Sequence, residues 1–252
     1  SRNATFNFLG AAAPALISIV TIPYVVSHLG AVNFGLLTLT SAIIGYFALL
    51  DINVTAGSTK YIAEYMSIGD RSRVDGTATF GFLIYLFIGL FGMVNLYVFS
   101  ETIIAKLLSV PKDQQALAVL AVQIAALGFL FGQVQAYLQS LPGAIMRFDV
   151  SAKIEASFGV ALPVLTVALL YTGKGLIEVI CLRVLMSAIQ TAVLMAALNT
   201  LLPGFRPAWP TNEARQRLLN YSVFAFLSRI AAVTYTHADK LLIGARVGMD
   251  AL

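Results

Sequence analysis

Apolar segments about twenty residues long recur along this chain. Each is cut off by a short stretch of glycine, proline, asparagine or charge. About 20 predominantly apolar residues carry a helix across a bilayer core. In hydrocarbon, unpaired backbone amides are too costly to leave open, so such a segment closes its hydrogen bonds within itself. Residues 4–27, 34–56, 76–99, 115–140, 156–172, 176–198 and roughly 219–245 meet the pattern, the fifth being short and interrupted by Pro163. The breaks read HLGAVN, SIGDRSR, SVPKDQ, LPGAIMRFD, YTGKG and LPGFRPAWPTNEARQR. Only 11% of the 252 residues are charged, against about 25% in a soluble domain. The pattern predicts an all-α, polytopic transmembrane bundle of about seven spans.

The same residues exclude several functions. Cys181 is the one cysteine, and His28 and His237 are the two histidines. Neither an intrachain disulfide nor a Cys/His metal cluster is available. No HExxH, Walker or paired-carboxylate signature occurs, so no catalytic residue and no cofactor is assigned. The net charge of +4 reads as loop bias, not as a nucleic-acid footprint. Residues 4–27 are too long for a cleaved signal peptide. The start at Ser1 and the closing GMDAL read as a piece of a longer chain.

Lys and Arg set the orientation. With a cytoplasmic N-terminus, the inner segments hold Arg2, Lys60, Arg71, Arg73, Arg147, Lys153, Arg206, Arg215 and Arg217; the outer ones hold Lys106, Lys112, Lys174 and Arg246. Residues 101–110 have the spacing of a short interfacial helix, with an apolar loop as the alternative. Gly128 and Gly132 form a GxxxG, and Gly89 and Gly92 lie close together. Such glycines allow close helix approach, either in a dimer or within one bundle. Pro14, Pro23 and Pro163 are expected to kink or loosen their helices.

The stretch VTYTHADKLLIG, residues 233–244, carries His237, Asp239 and Lys240 between apolar runs. At an offset of 218 residues, Phe6, Phe8, Leu9 and Gly30 match Phe224, Phe226, Leu227 and Gly248. That register places the three ionisable residues within the last span. The alternative ends the span at Tyr235 and makes THADK an outer loop. At 100° per residue Arg229 and Lys240 lie about 20° apart, with Ser222 and Thr236 on the same side, as on the wall of a cavity. Alternatively, Asp239 neutralises its neighbours and Lys240 snorkels outward. Asp51, Glu178 and Arg183 are the other charges near or within spans. Arg183 lies about 11 Å along its helix from the outer edge, while Asp51 also reads as an interfacial end residue.

TIPYVVSHLGAVNFGLL, LLDINVTAGSTKYIAEY, LPGAIMRFD and ADKLLIGARVG, taken in order, make the chain resemble the polysaccharide transporter family. That family contains O-antigen and lipid-linked oligosaccharide flippases and belongs to the multidrug/oligosaccharidyl-lipid/polysaccharide exporter superfamily. In LLDINV, Asn53 stands where the family commonly has glycine. The resemblance implies two six-helix lobes: residues 1–200 as the first, 201–218 as a cytoplasmic linker, and 219–252 as the opening helix of the second. It implies export of a polyprenyl-diphosphate-linked oligosaccharide by alternating access in a bacterial cytoplasmic membrane, through a cationic cavity and coupled to an ion gradient. Arg183, Arg229 and Lys240, with Ser222 and Thr236, would line the cavity. His237, Asp239 and Asp51 would couple protons or sodium. Membrane lipid and glycan polymerase or assembly proteins are the further partners implied. Three competing classes remain. One is a multidrug exporter of the same superfamily, which commonly has an acid in span one that this chain lacks. The others are a glycan-processing membrane enzyme, and a retinal protein, whose topology and Asp spacing before the lysine are not met.

Overall fold

A computed structural model describes residues 2–48, 53–108 and 110–228. Within them the chain is helical, with no strand among the described residues. Helix α1 (Arg2–Ala48) is two helices meeting at Gly30, whose φ of 75° and ψ of 160° no helix contains. Glycine alone adopts that combination without strain. Helix α2 (Val54–Ser67) is followed by α3 (Arg71–Val98), whose start is capped by the Asp70 carboxylate accepting the Arg73 N–H at 3.1 Å. A single turn, α4 (Ser100–Thr102), runs into a π-helical turn over Ile103–Leu107. Three long helices follow: α5 (Lys112–Ala144), α6 (Phe148–Tyr171) and α7 (Leu176–Leu201). After an extended connection, α8 begins at residue 212 and is described to residue 228.

Helix α5 is the spine, packing most extensively on α3 and α7 and also on α1, α2 and α6. Two apolar cores divide its length. One gathers Val25, Leu29, Leu37 and Ile43 of α1 with Leu96, Ile104, Ala121, Val122, Phe129 and the start of α7. The other, at the opposite end, joins Val54, Ile62 and Tyr65 of α2 to Tyr85, Tyr137, Leu141, Leu194 and Leu218. Close approach of α3 and α5 depends on glycine. A methyl group at Gly92 would overlap the Phe129 ring, and one at Gly89 would lie 2.9 Å from Leu130 Cδ1. This glycine pair therefore serves internal packing. In the GxxxG of α5, Gly128 faces Val184 of α7, while Gly132 has open space beside it.

Five described segments are long and apolar enough to cross a membrane: Ile19–Phe47, Arg71–Val98, Lys112–Ala144, Phe148–Tyr171 and Leu176–Leu201. The last four match sequence-expected spans to within a few residues, apart from a longer start to α6. The first two expected spans form one continuous assignment broken at Gly30. The expected end of the second at residue 56 is superseded: Asn53 is left-handed, and a separate amphipathic helix, α2, starts at Val54. Pro163 lies within α6 and Pro14 and Pro23 within α1, and the non-helical residue of α1 is Gly30 instead. Ile19, Val20, Phe87, Phe91, Val94 and Leu185 are exposed around the bundle, where a soluble protein would place polar groups and a bilayer supplies hydrocarbon. The chain is a multi-pass membrane protein.

Candidate functional site

The second arm of α1, the middle of α5 and the N-terminal half of α7 enclose a cleft of about 240 Å³. Leu37, Ile44, Ala125, Ile180 and Val184 give it apolar walls, and Thr40, Ser41, Arg183 and Ser187 give it polar groups. Arg183 lies seven residues into α7, roughly 10 Å along the helix. Its Nη1 donates to Ser41 Oγ at 3.0 Å. Ser41 donates its own proton to the Leu37 carbonyl at 2.8 Å, so its lone pairs remain free to accept from arginine. Arg183 is nevertheless exposed, and no carboxylate pairs with it among the described residues. A guanidinium fixed at one nitrogen and open at the others suits a bidentate oxyanion such as phosphate.

The polar stripe continues along α7. Ser187, one turn on, lies 3.4 Å from Gln135 Oε1 of α5, and Thr191, a further turn on, donates to the Ser187 carbonyl at 2.8 Å. Arg183, Ser187 and Thr191 are spaced by four, a helical period visible in the sequence. Attention to the charge alone hides that stripe, and hides Thr40 and Ser41, which only the fold brings opposite it.

The other sequence-assigned residues fall elsewhere. Ser222 is fully buried, donating to the Leu218 carbonyl at 2.7 Å and packed against Gly57 of α2. It belongs to the α2–α8 contact and is not brought into the Arg183 cleft. Asp51, Arg229, Thr236, His237, Asp239 and Lys240 lie outside the described residues. Glu178 accepts the Gly175 N–H at 3.0 Å, which makes it part of the start of α7.

At the opposite end, the connection over residues 202–211 is laced onto α3. Asp75, 6% exposed, accepts the Arg206 N–H at 3.3 Å, and Thr79 accepts the Ala208 N–H at 3.2 Å. Arg71 donates to the Pro203 carbonyl at 2.9 Å and pairs with Asp75 at 3.5 Å. Gly76 lies under Pro210, where a side chain would come within 2.9 Å of its Cα. Beyond the strap, Arg217 bridges Glu213 at 2.8 Å and Glu64 at 3.9 Å, and Lys60 lies 4.4 Å above the Tyr221 ring. These charge pairs and the strap thus gather at one end of the bundle.

The described bundle of membrane-spanning helices carries Arg183 seven residues into α7. Its fold matches an outward-facing multidrug resistance MATE family transporter of the MOP superfamily, with a TM-score of 0.72, 13% identity, and coverage of 97% of this chain and 55% of that one. It also matches a MOP superfamily transporter from Pyrococcus furiosus, described as having a binding pocket of reverse polarity, with a TM-score of 0.70, 14% identity, and coverage of 98% and 56%. The profile of the family described as "Polysaccharide biosynthesis protein" matches residues 28–252, and the chain belongs to that family. A "Putative O-antigen transporter" of Shigella flexneri is 31% identical over 104 residues, 41% of this chain and 24% of that protein. The family resemblance read from the sequence is thereby borne out. The chain spans just over half the length of the matched structures and about a quarter of that relative aligns with it.

Proposed function

We propose that the whole protein carries a polyprenyl-diphosphate-linked oligosaccharide, such as an O-antigen or exopolysaccharide unit, to the outer leaflet by alternating access. The observation that carries this reading is the Arg183 cleft, whose lining includes a guanidinium and no carboxylate. Such a wall attracts a diphosphate and repels an organic cation, which disfavours the multidrug alternative. The family description and the relative's printed name support a glycan cargo. The role is transport without chemistry on the substrate.

In this reading Arg229 and Lys240 of the following span, with Thr236, extend the cationic wall from the second lobe. His237, Asp239 and Asp51 couple the cycle to protons or sodium. The N-terminus and the basic strap end face the cytoplasm, and the membrane is a bacterial inner membrane, as the Lys and Arg bias favours. Glycan polymerase or assembly proteins receive the product. In cells expressing the whole protein, Arg183→Ala, Arg229→Ala and Lys240→Ala should each depress glycan export at unchanged protein level. Normal export from all three would overturn the reading.

A further inference from the structure

Arg71, Arg73, Arg147 and Arg217 each hold a carboxylate at 2.8–3.5 Å. Arg183 is held instead by a hydroxyl, its Nη1 donating to Ser41 Oγ at 3.0 Å. The two anchors differ in kind. A carboxylate fixes a guanidinium and cancels its charge, whereas a hydroxyl fixes it and leaves the charge in place.

Ser41 is oriented for that task by its own helix. Its hydroxyl gives its proton to the Leu37 carbonyl, one turn back on α1, at 2.8 Å. The oxygen's lone pairs remain, and Arg183 reaches one of them from α7. The other hydroxyls that line the cleft have also spent their protons. Thr40 donates to the Leu36 carbonyl at 2.8 Å, and Ser187 donates to Gln135 Oε1 at 3.4 Å. The rest of the lining is apolar. The side-chain donors left for a guest are therefore the remaining N–H groups of Arg183. An oxyanion, which accepts and does not donate, fits that inventory, while an organic cation meets a like charge. Because Ser41 holds the guanidinium beforehand, the cost of ordering a long side chain does not fall on binding.

We propose that Ser41 is the specificity-determining residue of this cleft. It positions Arg183 without neutralising it, and so sets the cleft for a diphosphate. Its action runs through the arginine. The inference rests on the reading of the cleft as the seat of the cargo's diphosphate, and it names the residue that gives the cleft its sign.

The test is calorimetric titration of the purified whole protein in detergent with geranylgeranyl diphosphate, referenced to geranylgeraniol, the uncharged alcohol. Wild type should favour the diphosphate. Ser41→Ala should weaken that binding about fivefold, the factor expected when one long side chain is ordered only on binding. Ser41→Thr, which keeps the hydroxyl, should restore it. Ser41→Asn and Ser41→Asp are matched in size and differ in charge. The first should stay within about threefold of wild type, and the second should lose about a hundredfold. Ser157→Ala, which removes a serine bonded to the carbonyl of Lys153 on α6, should change nothing. In an Arg183→Ala background, Ser41→Ala should add no further loss; a serine with a merely structural role would add its own. If Ser41→Asp does not fold, that cycle decides the matter. Wild type that binds both lipids equally would overturn the cargo reading and this inference with it. Preference for the diphosphate in wild type, with Ser41→Ala unchanged, with Ser41→Asp equal to Ser41→Asn, or with the loss from Ser41→Ala persisting without Arg183, would overturn this inference alone.

Discussion

Asn53 connects a local sequence oddity to backbone geometry. The family resemblance leads to an expectation of glycine there, and its φ of 56° and ψ of 37° place it in the left-handed region, which asparagine tolerates and β-branched residues do not. Asn53→Gly should therefore leave thermal stability nearly unchanged, and Asn53→Val should cost about 1–2 kcal/mol, read as a lower melting temperature in detergent. Equal melting of both variants would count against the conformational explanation. Tyr137 is the other residue whose role only the fold supplies: fully buried on α5, it binds across to the α3 carbonyl of Ala78 and lies 3.4 Å from Ser58 of α2. Tyr137→Phe keeps the ring and removes that bond, so a loss of about 1 kcal/mol is expected, measurable in the same melt. Arg183 was legible as an out-of-place charge, but Ser41, its partner 142 residues away, was not. Nothing local in the sequence pairs them.

Among the elements, the long helices were legible because lipid demands an unbroken apolar run on any helix that crosses it. Helix α2 was not. It buries Val54, Ser58, Ile62 and Tyr65 against protein, so one apolar stripe suffices; its first residues read as the end of the second span, and its Lys60 only as an inner charge. The strap was legible only as a linker. Its turn residues are evident in LPGFRPAWP, but its attachment to α3 depends on Asp75 and Thr79, more than 120 residues earlier. Removing the Asp75 carboxylate should free the strap, because Arg71 and the Arg206 N–H both lose their acceptor. In Asp75→Ala, limited proteolysis of the whole protein should cut within residues 203–210 several-fold faster than in wild type, tracking local opening. An unchanged rate would mean that Gly76, Phe80 and the other contacts hold the strap without it.

For the whole molecule, the arrangement ties position to charge. One end of the α5 spine carries paired arginines, the strap and the start of α8; the Arg183 cleft lies nearer the other end, in a helix long and apolar enough to cross a membrane. An unpaired guanidinium within a span is costly and needs a wet, anion-accepting surrounding to be retained, which is why the cleft carries the account. The most direct measurement is transport by the purified whole protein in vesicles. A polyprenyl-diphosphate-linked oligosaccharide is supplied on one leaflet, and its arrival on the other is followed with a glycan-cleaving enzyme outside. The account predicts arrival above protein-free vesicles, slowed roughly tenfold in Arg183→Ala by loss of one charge-assisted hydrogen-bonding group and largely restored in Arg183→Lys. Arrival at the wild-type rate in Arg183→Ala, or transport of an organic cation and not of the diphosphate lipid, would contradict it.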